Sequence, residues 1–577
     1  MNQQKYFSSL SQFFVSLVIP FLISACNPGN QQNTVSTADQ QVMKLLYWQA
    51  PTILNPHLAT GFKDFDAARI VYEPLASYDK NDQLIPFLAA EIPSIENGGI
   101  AKDGKSVTWK LKQNVQWADG EPFTAEDVVF TYEFIKNPEV AAASQEYYST
   151  IEKVEAIDNY TVKITFKDVT PGWEVPFTGQ NGMILPEHIF KEYNGANIRE
   201  APANQKPIGT GPYQVVEFKP GDIIIYEPNP NYWEADKPYF QRVELKGGGD
   251  ATSAARAVLQ TGDADYAYNL QVEANILKQL EAAGKGKVVA SFGPYVERIM
   301  INFTDPNQAS ETGERSSTEF SHPFLSDKKV RQAFDLAIDR DTIATQLYGA
   351  TGRPTAQLLV APETYKSDNI SYEYNLEKAA TLLDESGWKD TNNNGVRDKD
   401  GVEMNVVFQT SVNPVRQKTQ EIVKQGLESI GVDVELKSID ASVFFSGDPA
   451  NTDTLNHFYA DLQEYNTGND SPDPSPHMKW WTCEEIAQKE NDWQKPNYAR
   501  YCNPEYDQLW QQASTELDPQ KRAELYKQMD ELLRKDFAVI PIINRANAQG
   551  VSNQLTGIEP SPWDANTWDI KNWKRPN

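Results

Sequence analysis

Cysteine is scarce in this chain: Cys26, Cys483 and Cys502 are the three among 577 residues. Two of them lie close together in the C-terminal part, and in an exported protein two nearby cysteines most often pair. A metal site at the same cysteines would want histidines at ligand spacing, which His457 and His477 do not have. We therefore favour a disulfide bond between Cys483 and Cys502 over a metal site.

Positive charge is also in short supply. The chain carries 53 Lys and Arg residues against 80 Asp and Glu, which makes a formal net charge of −27. Nucleic-acid phosphates would be repelled and no stripe of Lys and Arg compensates, so a nucleic-acid partner is excluded. We interpret the acidity as a contribution to solubility rather than as the mark of a specific cationic partner.

The signatures of common hydrolases and nucleotide-binding enzymes are missing. The sequence has no H-E-x-x-H, no G-x-S-x-G and no phosphate-binding loop. Gly209 and Gly211 in "PIGTGPYQVVEF" precede Pro212 and a strand-like alternation, so we predict a tight crossover instead of a nucleotide cradle. With 80 acidic residues, chance carboxylate pairs carry no weight. We predict that the protein is not an enzyme; a secreted hydrolase is the alternative, although no nucleophile–base pair can be named.

Long apolar runs are absent except for one short segment, from Phe13 to Ile23. It is too short to span a bilayer, which takes about 20 apolar residues, and it fits the apolar core of a secretion signal. Ser24-Ala25-Cys26 resembles the bacterial lipobox, in which the cysteine is lipidated and becomes the mature N-terminus. We predict a lipoprotein signal peptide over residues 1–25 and lipidation at Cys26; an ordinary signal peptide is the alternative.

The stretch that follows, residues 26–40, is polar and low in apolar side chains. Such a composition cannot bury enough apolar surface to pack, so we predict a flexible tether. A tethered, lipidated protein belongs in the cell envelope, outside the cytoplasm and anchored to a membrane.

The length of the chain predicts several domains, because 577 residues exceed one compact core. Strand-like alternation and amphipathic helical patterns mix throughout, which indicates an α/β protein. Helices are predicted after capping residues at Thr124, Asp327, Asn413-Pro414 and Asp518-Pro519. Strands are predicted over residues 107–111, 162–166 and 432–436.

A polar loop, "DTNNNGVRDKDG" at 390–401, partly matches a calcium-binding loop. Positions 1, 3, 5, 6 and 9 of the pattern are filled by Asp390, Asn392, Asn394, Gly395 and Asp398. Position 12 is Gly401 instead of Glu, and position 8 is Arg397 instead of an apolar residue. There are two alternatives for this loop: it binds a Ca²⁺ ion that holds it together, or it is a polar Asn/Gly-rich turn. No other cofactor is expected.

Several segments together resemble the extracellular solute-binding proteins, family 5, of peptide-type ABC transporters. The strongest match is "TWKLKQNVQWADGEPFTAEDVVFTYEF" at 108–134. The other matching pieces follow in family order: "PTILNPHLA" (51–59), "VYEPLASYD" (71–79), "PIGTGPYQVVEF" (207–218), "NPNYW" (229–233), "DKKVRQAFDLAIDR" (327–340) and "YCNPEYDQL" (501–509). The resemblance extends over about residues 45–562 and is specific for the family, not for the ligand.

The resemblance implies an α/β, two-lobe periplasmic-binding-protein-like fold of class II type, with an inserted extra domain and a hinge. By this resemblance, lobe I comprises residues 41–77, 208–296 and 546–577. The inserted domain, domain II, spans residues 78–207, and lobe II spans residues 297–545. The lobes are expected to close on a ligand.

The resemblance also implies a function: capture of oligopeptides or dipeptides outside the cytoplasmic membrane and delivery to the permease of an ABC importer. The expected partners are the peptide, the transmembrane permease subunits with their cytoplasmic ATPases, and the membrane through the lipid; the protein is expected to be a monomer. Binding of oligosaccharides or of a nickel chelate are alternatives within the family. The 13 tryptophans keep an oligosaccharide ligand open as an alternative. The five histidines are scattered along the sequence, which weighs against a nickel chelate.

In peptide-binding relatives an extended peptide is held as an added strand, and an aspartate in the pattern D-x-x-[D/E]-P meets its α-ammonium. Asp470-Ser471-Pro472-Asp473-Pro474 fits this pattern, so Asp470 is the expected ammonium partner. The expected strand is formed by Tyr465, Asn466, Thr467 and Gly468. The pair Ser471-Pro472 departs from the relatives because the proline removes an N–H and stiffens the loop. An Asp/Pro-rich surface turn is the alternative.

Arg416, near the start of the helix after Asn413-Pro414, is a candidate for receiving a ligand carboxylate bidentately. A solvated or salt-bridged arginine is the alternative. Trp480, Trp481 and Tyr465 are candidates for the lining of side-chain pockets and equally for the core.

Overall fold

The computed structural model of the chain describes residues 41–59, 61–446 and 448–576. The predicted signal peptide over residues 1–25, the lipidation site Cys26 and the tether over residues 26–40 lie outside the described residues. Within the described part of the chain, no helix combines the length and the apolarity that a bilayer crossing requires.

The described residues form twenty strands. They are β1 (Val42–Tyr47), β2 (Ala76–Tyr78), β3 (Leu84–Pro86), β4 (Ser106–Lys110), β5 (Ile151–Asp158), β6 (Thr161–Phe166), β7 (Tyr213–Lys219), β8 (Ile223–Pro228), β9 (Arg242–Gly247), β10 (Tyr266–Ala267), β11 (Gly286–Ser291), β12 (Val296–Ile301), β13 (Gly352–Pro354), β14 (Asp398–Lys399), β15 (Val402–Glu403), β16 (Asn405–Ser411), β17 (Asp433–Ile439), β18 (Leu462–Thr467), β19 (Val539–Arg545) and β20 (Asn547–Ser552).

The same residues form thirteen α-helices. They are α1 (Phe62–Arg69), α2 (Ala125–Lys136), α3 (Glu187–Phe190), α4 (Ala251–Arg256), α5 (Ala274–Glu281), α6 (Lys328–Leu336), α7 (Arg340–Ile343), α8 (Leu376–Glu385), α9 (Pro414–Glu428), α10 (Ala441–Phe444), α11 (Ser475–Lys479), α12 (Pro504–Ala513) and α13 (Pro519–Asp536).

The local predictions for these elements are confirmed where capping chemistry and alternation are strong. The backbone N–H of Thr124 donates to the Asp127 carboxylate at 2.9 Å at the start of α2. Asp327 and Asn413 cap α6 and α9 by accepting backbone N–H groups of the first turn. Asp518 does the same for α13. The three predicted strands correspond to β4, β6 and β17.

Lobe I is built on a seven-stranded mixed sheet with the order β11-β20-β10-β1-β9-β8-β7. Its central strands β1 and β9 are parallel, and their register runs from Val42 opposite Arg242 to Tyr47 opposite Gly247. Strands from three separate stretches of the chain meet in this one sheet, so lobe I is completed only when the C-terminal segment returns to it.

Domain II contains the three-stranded antiparallel sheet β4-β6-β5 and helix α2 packed against it. The buried side of this sheet forms the domain's apolar core with Trp109, Trp117 and Phe134. The chain leaves the domain at the glycines of "PIGTGP", where a Cβ at Gly209 would lie 2.0 Å from the carbonyl oxygen of Val71. The predicted crossover is confirmed, and only glycine allows the two backbone segments to approach this closely.

Lobe II is built on a six-stranded sheet with the order β13-β19-β12-β18-β16-β17. Helices α6, α8 and α9 cover one face, where Ile299 and Leu462 are buried, and α12 and α13 belong to the core on the other face, where Met300 and Tyr465 are buried. The central strand β18 pairs antiparallel with β12 and parallel with β16.

Two adjacent backbone segments connect the lobes. One runs from β11 to β12 through residues 292–295, and the other passes from β19 to β20 at Ala546. They are hydrogen-bonded to each other: the N–H of Arg545 donates to the carbonyl of Tyr295 at 2.9 Å. The Asn544 amide also donates to the carbonyl of Gly293 at 2.9 Å. These two segments form the hinge region.

Side chains of the two lobes meet beside the hinge region. Lys418 of α9 lies 2.7 Å from the carboxylate of Glu273, just before α5. The Asn413 amide donates to the side chain of Gln271. The described conformation therefore has the two lobes in contact.

Candidate ligand-binding site

The C-terminal half of β18 has an unpaired edge inside lobe II. Its residues Leu462 to Glu464 pair with β16, whereas the pairing with β12 continues to Thr467. No residue of β16 is paired with Tyr465, Asn466 or Thr467 among the described residues. A strand edge with free backbone groups is the template that an added extended chain requires.

The carbonyl of Glu464 indicates the side of β18 toward which the backbone groups of this edge point. The carbonyl of Glu464 points toward β16, because it accepts a hydrogen bond from the Thr410 hydroxyl at 2.8 Å. Backbone groups alternate along a strand, so the N–H and carbonyl of Asn466 point toward the same, open side. Gly468 then brings the chain against the hinge region: a Cβ there would lie 2.3 Å from the Pro294 carbonyl oxygen.

Asp470 lies directly after this edge and is partly buried. The hydroxyl of Tyr147, from domain II, donates to its Oδ2. Burial raises the pKa of the Asp470 carboxyl, and the hydrogen bond from Tyr147 opposes that rise. The negative charge of Asp470 in turn contributes to the raised pKa of Tyr295 in the hinge region. The carboxylate is thus surrounded by groups from domain II, the hinge region and lobe II.

The second acidic residue of the pattern, Asp473, supports the loop. Its carboxylate forms a bidentate ion pair with Arg522 of α13, in which Nη2 lies 3.0 Å from Oδ1. The same oxygen accepts the N–H of Ser475 at 2.9 Å, at the start of α11. Burial alone raises the pKa of Asp473, but the Arg522 charge and these hydrogen bonds outweigh it, so the pKa lies below its usual value. Asp473 therefore anchors the segment that carries Asp470.

A cavity of about 380 Å³ lies between domain II and lobe II, and Tyr147, which donates to Asp470, is one of its lining residues. Tyr147 lines it from domain II, and Lys479 and Trp510 line it from lobe II. Ligand sites of small molecules commonly enclose about 300–1,000 Å³, and this cavity lies at the lower end of that range.

Arg416 has a partner within the protein. Its Nε and Nη2 donate to the two carboxylate oxygens of Glu297 at 3.0 and 3.2 Å, and Nη1 donates to the Ser411 hydroxyl at 3.0 Å. All of these groups are buried. The expected role in receiving a ligand carboxylate is therefore replaced by the salt-bridged alternative, and we do not include Arg416 in the site.

The aromatic candidates divide between core and surface of lobe II. Tyr465 and Trp481 are buried in its core, and Trp480 is partly buried beside them. Cys483 and Cys502, which follow and precede helical segments near these residues, are joined by a disulfide bond.

The loop at 390–401 uses its carboxylates for internal hydrogen bonds. Asp390 accepts the backbone N–H groups of Asn394 and Gly395 at 3.1 and 3.0 Å. Asp398 accepts the N–H and the hydroxyl of Thr391 at 2.8 and 2.6 Å. In the part of the chain that the structure describes, no group of three or more His, Cys, Asp or Glu side chains is arranged to hold a metal ion. A polar turn makes hydrogen bonds of this kind, and the binding of Ca²⁺ by this loop stays a prediction.

Three long-range contacts were not predicted from the sequence: those of Tyr147 and Tyr295 with Asp470, and that of Glu297 with Arg416. Tyr147 and Asp470 are separated by 323 positions, and no periodicity or motif links them. Glu297 is recognisable only as a charged residue in an otherwise apolar strand, "VERIMI".

Comparison with known proteins places the chain in a family. Residues 83–488 match the family described as bacterial extracellular solute-binding proteins, family 5 Middle. The chain belongs to this family. The prediction from the sequence is therefore confirmed, and so is the two-lobe α/β fold. The family is one of solute-binding proteins and not of enzymes.

Individual members of family 5 resemble the chain over nearly its whole length. The oligopeptide-binding protein AppA of Bacillus subtilis is 28% identical and covers 98% of each chain. Its solved structure in complex with a nonapeptide has a TM-score of 0.76, with 93% of this chain and 99% of that chain covered. NikZ of Campylobacter jejuni, solved with Ni(L-His), has a TM-score of 0.77 at 24% identity over 93% of this chain and all of that chain, and shows the shared fold.

We predict that Arg416→Met destabilises the protein by about 3 kcal/mol, because the buried Glu297 carboxylate loses its bidentate partner. Urea denaturation followed by circular dichroism measures this change. Glu421→Gln, at an exposed position of the same helix, is the matched control and should change stability by less than about 0.5 kcal/mol. A loss below about 1 kcal/mol for Arg416→Met would show that the pair is not structural.

Proposed function

We propose that this protein captures peptides with a free N-terminus outside the cytoplasm and delivers them to the permease of an ABC importer. The observation that carries the proposal is the open edge of β18, which ends at the Asp470 carboxylate. The peptide main chain would pair with Asn466, and the α-ammonium would meet Asp470. The names of relatives such as the oligopeptide-binding protein AppA and the dipeptide-binding protein DppE support a peptide ligand.

The chemistry of the site suits an ammonium group. A carboxylate accepts several charge-assisted hydrogen bonds, each worth about 1.5–3 kcal/mol when the partners are desolvated together. Tyr147 satisfies Oδ2 of Asp470 in the described conformation. An ammonium would add its N–H donors to a carboxylate that the protein has partly removed from water.

The hinge region supports a capture mechanism. Two connecting segments allow the lobes to rotate relative to each other, and a ligand that contacts both sides stabilises the closed arrangement. Permease subunits, with their cytoplasmic ATPases, would then recognise the closed form. We propose that the protein does this as a monomer, held to the membrane by a lipid on Cys26.

Asp470→Asn is expected to weaken the binding of a free-amino peptide tenfold or more, which corresponds to about 1.4 kcal/mol or above, because the ammonium loses its counter-charge. Isothermal titration calorimetry with tetra-alanine measures the affinity. The N-acetylated form of the same peptide is the control, and it should bind the wild type weakly and be insensitive to the substitution. Equal affinity of the wild type for both peptides would contradict the role of Asp470.

The affinity should also depend on pH. Only the ionised carboxylate attracts the ammonium, so affinity falls as the pH drops through the raised pKa of Asp470. Tyr147→Phe removes the hydrogen bond that lowers this pKa, and the midpoint of the pH profile should move to higher pH. Tyr160→Phe, elsewhere in domain II, is the control. A midpoint unaffected by Tyr147→Phe would show that this hydroxyl does not act on Asp470.

Cys26→Ser tests the anchor. Without the Cys26 thiol no lipid can be attached, so the protein lacks the acyl chains that would hold it to the bilayer. We expect the variant in the soluble fraction after cell fractionation, while Cys483→Ser with Cys502→Ser should remain with the membrane. Membrane retention of the Cys26→Ser variant would refute lipid anchoring.

A further inference from the structure

Domain II is in direct contact with lobe II at Asp473. A Cβ added to Gly172 of domain II would lie 2.9 Å from Oδ2 of Asp473. A second contact lies at Gly104 of domain II, where an added Cβ would be 3.0 Å from the side chain of Leu517, between α12 and α13. The segment around Gly172 therefore packs against the loop that carries Asp473 in the described conformation.

Glu174 brings a carboxyl group into this contact. Its Oε2 is closed off from solvent and has no hydrogen-bond partner among the described residues. The charged groups that face it are Asp473 and Arg522 of lobe II. Two tyrosines face it as well, Tyr78 at the end of β2 and Tyr365 of lobe II. A buried carboxylate oxygen without a donor is costly, whereas a protonated carboxyl group carries no charge.

The charge of Arg522 is already matched within lobe II. Its two terminal nitrogens bind the Asp473 carboxylate, with Nη2 at 3.0 Å from Oδ1, and its Nε donates to the carbonyl of Ala513 at 3.0 Å. Two carboxyl groups therefore share one guanidinium once domain II is in place. Burial and the negative charge of Asp473 raise the pKa of the Glu174 carboxyl, and the Arg522 charge opposes only part of the rise.

The same imbalance of charge occurs at the cavity between domain II and lobe II. Lys479 of lobe II lies 2.9 Å from the Glu485 carboxylate, and Glu146 of domain II adds a further carboxyl group. The titratable groups that face Glu146 are Tyr147 of domain II and, from lobe II, Asp470, Lys479, Glu485 and Tyr498. Burial raises the pKa of Glu146 to about 7, although the Lys479 charge opposes the rise.

The hinge region separates these two glutamates from the charges of lobe II. Domain II is bonded to lobe I, because the ring nitrogens of His57 lie 2.9 Å from the Ser144 hydroxyl and 2.8 Å from the Met183 carbonyl. We therefore expect domain II to move with lobe I. A rotation that opens the lobes then exposes Glu174 and Glu146 to water, where a glutamate ionises at its ordinary pKa.

We propose that closing of the lobes takes up protons at Glu174 and Glu146, so that the acidity of the surroundings regulates closure. The closed form has the higher glutamate pKa values, so closing is easiest below them and becomes harder as the pH rises through them. This inference concerns the closing motion and goes beyond the proposed function. Its pH dependence is opposite in sign to that of Asp470, whose ionised form attracts the ammonium.

Calorimetry counts the protons. Tetra-alanine is titrated at pH 6.5 in two buffers of different ionisation enthalpy, and the difference in heat gives the number of protons taken up on binding. We expect the wild type to take up about half a proton more than Glu174→Gln, because glutamine has the shape of the protonated side chain and cannot ionise. Any proton exchange at Asp470 is common to both proteins and cancels in the comparison.

The affinities should change in the same sense. The ratio of the wild-type Kd to that of Glu174→Gln should grow at least about threefold from pH 6 to pH 8. Glu133→Gln, at an exposed position of α2, removes the same charge from domain II and is the matched control, which should behave as the wild type. Glu146→Gln, which should also take up fewer protons than the wild type, serves if Glu174→Gln does not fold.

Equal proton uptake by the wild type and Glu174→Gln would overturn the coupling, and so would an equal loss in Glu133→Gln. If tetra-alanine does not bind the wild type, the proposed function fails, and small-angle X-ray scattering of the peptide-free protein decides the coupling. The radius of gyration of the wild type should then be smaller at pH 6 than at pH 8, and Glu174→Gln should reduce this difference. A radius of gyration that does not change with pH would overturn the coupling.

Discussion

An open strand edge inside an otherwise paired sheet is the constraint on which the site depends. β16 turns away after Ser411 toward the cap of α9, while β18 continues alongside β12 to Thr467. Backbone groups left without partners must be satisfied by water or by another chain. The main chain of β18 therefore supplies the first part of the site, its unpaired edge, and side chains such as Asp470 supply the rest.

Two buried ion pairs hold charged side chains of lobe II in place, whereas the Asp470 carboxylate has no such partner. Asp473 with Arg522 and Glu297 with Arg416 are buried bidentate pairs that fix the loop after β18 and the start of α9. Asp470 is different, because its carboxylate accepts a hydrogen bond from the Tyr147 hydroxyl and has no cationic partner among the described residues. It is an acidic group next to the open edge.

Local features of the structure were predictable because their causes are local. Asp327 and Asn413 cap helices a few residues away, and the glycines after Ile208 mark a close backbone approach. Long-range contacts were not predictable. The partner of Arg416 is 119 positions away, and the tyrosine on Asp470 belongs to another domain. The pattern at 390–401 shows a related limit, since its Asp and Asn spacing fits both a calcium loop and the internal hydrogen bonds of a turn. The family resemblance supplied Asp470, which spacing alone could not distinguish from a surface turn.

The hinge region has a mechanical consequence. Its two legs run side by side and are bonded through Tyr295, Asn544 and Arg545, so they resist shear and torsion better than two separate linkers would. The two connecting segments can still bend together. Such bending rotates one lobe relative to the other about an axis at the hinge region, and the displacement of a residue grows with its distance from that axis. Surfaces at the far ends of the lobes therefore move most, and a membrane partner that touches both ends would sense occupancy as a change in span.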